Sequence, residues 1–138
     1  MLKKTNSLLP GIFILGLLIS LPSLASAGLP SFQELVDATE ENGTLVPEAG
    51  TYAGPVYIDY PITIDGSNGV TIDAQGKGSV VYLESDGVTL KNLKLINSGG
   101  SHNDLDSGVQ VRGDFNVIRD CEILNCLFGR HHASLPAL

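Results

Sequence analysis

Cysteine, basic side chains and long apolar runs are all scarce in this chain, and each scarcity excludes something. Two cysteines, Cys121 and Cys126, permit one disulfide but exclude a disulfide-dense scaffold. Eight Lys and Arg stand against 15 Asp and Glu, a formal charge of −7. Such a surface repels nucleic acid and anionic lipid rather than recruiting them. No phosphate-binding loop, nucleophile elbow or HExxH helix is present. At 138 residues the chain holds one domain at most.

The long apolar run that does occur, Leu8 to Leu21, lies at the N-terminus. Lys3 and Lys4 precede it, while Pro22 and Ala25-Ser26-Ala27 follow. This pattern predicts a secretory signal peptide over residues 1–27, cut between Ala27 and Gly28. The run is short for a membrane span, so no membrane insertion is expected after cleavage. Loss of two lysines makes residues 28–138 more acidic still.

The segment LPSFQELVDATEENG predicts a capping helix over about residues 31–41. Ser31 is the candidate N-cap, with Glu34 closing a capping box. Phe32, Leu35 and Val36 form one apolar stripe, and Asn42-Gly43 supplies the stop. One narrow stripe suits a lid on something larger.

Beyond Gly43 no helical period returns. Short apolar alternations take over, among them VYI at 56–58, ITI at 62–64, VTI at 70–72, VYL at 81–83, VTL at 88–90, LKLI at 93–96, VQV at 109–111 and CEIL at 121–124. Gly, Asn, Asp or Pro interrupts each of them. Shifting the chain by 28 residues lays VYLESDGVTLKNLKLINS on VQVRGDFNVIRDCEILNC. Val81 then meets Val109, Leu83 meets Val111, Leu90 meets Ile118, Leu95 meets Ile123 and Asn97 meets Asn125. VYIDYPITID precedes the first of these repeats by roughly 25 residues. A unit of about that length with three short strands is one coil of a parallel β-helix. Stacking at about 4.8 Å sets each bend residue over its equivalent, where amides can form a ladder. Leucine-rich repeats lack support because their leucine–asparagine signature is missing, and a β-sandwich does not predict the self-match.

The shift also places Cys121 on Leu93, an inward position, and Cys126 on Ser98. Packed free cysteines are therefore expected in preference to a disulfide or to metal ligation with His131 and His132. Asp59, Asp65, Asp73, Glu84, Asp86, Asp114, Asp120 and Glu122 are the outward acids. Most lie at bends, where a carboxylate accepts a local backbone N–H. Glu84 and Arg112 occupy matching positions and are expected to pair on the surface. No pair among these acids has the look of a convergent catalytic cluster.

From Ser31 to Gly129 the chain resembles the NosD family, within the wider class of carbohydrate-binding and sugar-hydrolase β-helices. The leader, SFQELVDATEENGTLVPEAGTYAGPVYIDYPITIDG, GVTIDAQGKGSVVYLESDGVTLKNLKLINSG and SGVQVRGDFNVIRDCEILNCLFG carry the resemblance. It implies a right-handed all-β parallel β-helix in the periplasm, with a short capping helix. It further implies a non-enzymatic accessory role in assembling the copper centres of nitrous oxide reductase. The partners implied are an ABC transporter, including its membrane subunit, and the reductase maturation factors, with copper as the metal. Members of the family are much longer and continue past LFG into further coils. Residues 28–129 are thus expected to be the N-terminal part of such a domain, and 130–138 a non-repeat tail from a truncated or frameshifted end. A last coil left uncovered is expected to self-associate or to unfold in part.

One excursion, GGSHNDLDS between Ser98 and Gly108, lengthens its repeat. His102, Asp104 and Asp106 there form a candidate metal set of one nitrogen and two oxygens. Metal binding by this loop is expected to be weak. The alternative overall function is a secreted carbohydrate-binding or carbohydrate-active β-helix of lyase or hydrolase type.

Overall fold

The structure, a computed structural model, describes residues 28–132, so the expected signal peptide and Ala27 lie outside the described residues. It opens with helix α1 (Phe32–Asp37) and continues in short parallel strands. These are β1 (Thr44–Leu45), β2 (Gly50–Ala53), β3 (Val56–Ile58), β4 (Thr63–Asp73), β5 (Val81–Leu83), β6 (Thr89–Ile96), β7 (Ser107–Val111), β8 (Val117–Arg119), β9 (Glu122–Leu124) and β10 (Phe128–His132). Each strand pairs with its equivalent one coil away. One sheet runs from β1 and β2 through β4 and β6 to β8 and β9, and the second runs β3, β5, β7, β10. The chain is a right-handed parallel β-solenoid with an N-terminal helix.

The register follows the sequence repeat. Val81 pairs with Val109 and Leu83 with Val111. Leu90 pairs with Ile118 and Leu95 with Ile123. The earlier coil joins in with Val56 beside Val81 and Ile58 beside Leu83. Between the first two coils the register shifts between Ile58, which pairs with Leu83, and Thr63, which pairs with Thr89, and again at a bulge in β4 between Asp65 and Val70. Inside the solenoid, Val56, Ile58, Ile64, Ile72, Val81, Leu83, Leu90, Leu95 and Val109 are fully buried. These inward columns supply the apolar burial that holds coil on coil.

Helix α1 covers the first coil, as its apolar stripe predicts. Phe32 and Val36 are wholly buried, and the Phe32 ring meets Tyr52 edge to face, 5.4 Å between centroids. The helix is shorter than the 31–41 expected, and the capping box is not formed. Ser31 makes no side-chain cap bond and instead bridges to Ala53 in parallel, with Pro30 O accepting from Ala53 N. Residues 30–31 thus serve as a fragment of strand. At the other end the Tyr60 hydroxyl donates to the carbonyls of Val36 and Thr39, and the Thr39 hydroxyl donates to Leu35 O. Those carbonyls are satisfied without another helical turn.

The first residues of the segment expected as a non-repeat tail are strand. Arg130, His131 and His132 continue β10 and pair with Val109, Gln110 and Val111 of β7. Backbone pairing is indifferent to side-chain type, so FGRHH takes up the register without an apolar pattern of its own. Residues 133–138 lie outside the described residues.

Candidate functional site

The excursion between β6 and β7 closes on itself. Asp106, 4% exposed, accepts from Ser101 N at 2.8 Å through Oδ2, while its own N–H donates to Ser101 O at 3.1 Å. Gly99 is a requirement of this closure, since a Cβ there would run into Asp106 Oδ2 and Gly78 N. Asp104 Oδ2 accepts from the Ser101 hydroxyl at 2.7 Å. His102 is exposed and stands edge-on to Phe128, 6.0 Å between ring centroids. The two carboxylates of the candidate set therefore share Ser101 as a partner, and the imidazole faces an aromatic ring. Among the described residues no three His, Cys, Asp or Glu side chains gather as a metal-binding group. This donor set does not fit copper: Cu(I) favours thiolates and thioethers, and Cu(II) favours several nitrogens.

The cysteines are free and half-buried, packed against the core. Cys121 Sγ lies 3.4 Å from Arg119 O, and burial first, then Asp120 nearby, pushes its thiol pKa up. Such a thiol stays protonated at neutral pH and is a poor ligand or nucleophile.

Of the outward acids, Asp65, Asp73, Glu84, Asp86 and Glu122 hold coils together. Asp65 Oδ1 accepts from Ser67 N and from Asn92 Nδ2, and Lys91 Nζ lies 3.6 Å from its other oxygen. The Asn92 amide above all holds its carboxyl below the usual range. Asp73 Oδ1 accepts from Gln75 N and from Asn97 Nδ2, which spans one coil. Asp86 accepts from Asp114 N on the next coil. Glu84 pairs with Arg112 at 3.2 Å, as their matching positions predict, and Glu122 sits 4.0 Å from Lys94. Each of these bonds runs along or between coils, as a scaffold needs.

Two open features remain. On the outer face of the β3–β5 sheet, Tyr57 and Tyr82 stack at 4.5 Å, nearly parallel. At the far end of the solenoid, Val111, Ile118, Asn116, Phe115, Asp114 and Arg130 line a groove. Sequence reasoning passed over Phe115 although a signal existed: the 28-residue shift lays it on Gly87. It also passed over Gln33, whose polar side chain on a helix gives no such signal.

A protein of Pseudomonas aeruginosa named as a probable ABC transporter binding protein NosD is similar to this chain, 32% identical over 115 residues. The match takes in 82% of this chain and 27% of that protein, so the chain spans about a quarter of the length of the curated relative it matches. No family model and no solved structure matches the chain.

Proposed function

We propose that this chain forms the helix-capped first coils of a non-enzymatic periplasmic accessory factor that works with an ABC transporter. In the finer form of this reading it assists assembly of the copper centres of nitrous oxide reductase. The observation that carries the proposal is the identity to a relative named for ABC transporter binding, which extends over most of the solenoid. Engagement of the surface acids in coil-to-coil bonds supports a binding scaffold over a hydrolase. Copper in this reading is cargo of the whole machinery, since His102, Asp104 and Asp106 make a poor cradle for it. Export would follow cleavage between Ala27 and Gly28.

Deletion of the coding sequence in its own cell is the direct test. Nitrous oxide reductase should then be made without its copper centres, read as lost visible absorption and accumulating nitrous oxide. The exported product should begin at Gly28 by intact mass. A fully coppered reductase in the deletion strain, together with turnover of a polyuronate by the purified chain, would decide for the carbohydrate-active reading.

A further inference from the structure

Asn42, Asn92, Asn97 and Asn125 all lie at positive φ, and the last three use their side chains there. Asn92 donates its side-chain amide to Asp65, Asn97 to Asp73 and Asn125 to Asn97, each across one coil. Asn42, at φ 66°, differs. It is exposed, and among the described residues its side chain makes no hydrogen bond. Its backbone is held, since Asn42 N donates to Pro61 O at 2.6 Å and Gly43 N donates to Glu40 O at 2.9 Å. The left-handed backbone accounts for asparagine as a residue type. It does not account for the carboxamide, which stands in solvent.

The residues that follow give that carboxamide a chemistry. Asn42-Gly43-Thr44 is an Asn-x-Thr acceptor for N-linked oligosaccharide, with no proline between. No other asparagine of the chain has Ser or Thr two residues on. Thr44 is exposed, and its hydroxyl makes no hydrogen bond among the described residues. Glu40 and Glu41, just before the acceptor, are exposed as well, so it is open from both sides. A glycosyl transferase must also draw the acceptor into its own site as a loop. Strand β1 is two residues long and pairs with β4 alone among the described strands, and Val46 beyond it is 51% exposed. Little apolar contact is broken when such a segment lifts away.

We propose that Asn42 is a glycosylation site, modified on the far side of the membrane that the chain crosses; this rests on the export proposed above. The co-substrate is an oligosaccharide carried on a polyprenyl phosphate or pyrophosphate. The Asn42 side-chain nitrogen attacks the anomeric carbon of the first sugar. A C–N bond forms there, the anomeric C–O bond breaks, the lipid phosphate leaves with the electron pair, and one amide proton passes to base. The glycan then stands on the first coil, beside the helix cap and clear of the bonds that join the coils.

Intact mass and peptide mapping of the chain exported from its own cell test the proposal. The product should begin at Gly28 and exceed the mass of residues 28–138 by that of an oligosaccharide. Asn42→Asp tolerates the same left-handed turn, so it should stay folded, read as a cooperative melt, and lose the excess mass entirely. Thr44→Val suits an exposed strand position and should lose it too, whereas Thr44→Ser should retain it. A wild-type product that begins at Gly28 with Asn42 bare or merely deamidated overturns the proposal and leaves export standing. An excess mass that survives Asn42→Asp also overturns it. A product that keeps residues 1–27 overturns both.

Discussion

At the scale of single residues, the bends of this solenoid are decided by asparagine and aspartate held at positive φ. Asn92, Asn97, Asp120 and Asn125 all lie between φ 53° and 59°. These side chains tolerate the left-handed region and, being short and polar, bond locally. Stacking turns the tolerance into cohesion. Asn125 Nδ2 donates to Asn97 Oδ1 at 2.6 Å, and Asn97 Nδ2 donates to Asp73 Oδ1 at 2.9 Å, so three coils share one chain of bonds. The 28-residue shift made the lower rung legible, because it laid Asn97 on Asn125. The upper rung was hidden, since the coil above differs in length and puts a carboxylate at that height. Asn97→Gly keeps the backbone conformation and deletes both bonds, so it should cost about 2 kcal/mol, roughly one per bond. Asn97→Ala should cost about 1 kcal/mol more, because alanine is strained at that φ. Urea midpoints at unchanged slope would measure both. Equal effects of the two variants would mean that backbone conformation contributes nothing.

At the scale of elements, strands that send apolar side chains into the core were legible, and those held mainly by backbone pairing were not. β3, β5 and the two halves of β6 alternate cleanly because their inward side chains are buried. β2 was missed: GTYA has only half-buried Tyr52 and Ala53 against the helix, so its sequence carries no apolar alternation. β10 was missed for a related reason, since FGRHH is held by backbone pairing. The helix was legible from its stripe, but its length was not, because Tyr60 captures its last carbonyls from 21 and 24 residues away. Helix α1 also shields the edge that β3 would otherwise leave open. Gln33 Oε1 accepts from Tyr57 N at 2.7 Å, and Gln33 Nε2 donates to Tyr57 O at 3.0 Å, so one amide side chain imitates a neighbouring strand. The site is partly wet, and water can replace the lost partners. Gln33→Ala should therefore cost only about 1 kcal/mol, while the Tyr57 amide exchanges markedly faster and that of Tyr82 is unchanged. Hydrogen exchange followed residue by residue checks this, and an unaltered Tyr57 rate would show that the helix, not the amide, protects the edge.

At the scale of the whole molecule, a solenoid is a stack whose stability sums over neighbouring coils, so its two ends should differ when their covers differ. The first coil lies under Phe32 and Val36, both fully buried, while at the far end Ile118, Cys121 and Ile123 are only half-buried. Equivalent amides report on the difference. Thr89 N donates to Ile62 O at 3.0 Å, and one coil later Val117 N donates to Val88 O at 2.8 Å. Bond length alone would protect the two alike. Local opening is set instead by how much apolar contact must be broken to free a segment, and among the described residues β8 has a coil on one side where β6 has coils on both. In dilute solution Val117 should therefore exchange faster than Thr89, and Arg112, bonded to Leu83 O, should lie between them. Equal protection of Thr89 and Val117 would show the coils opening as a single unit.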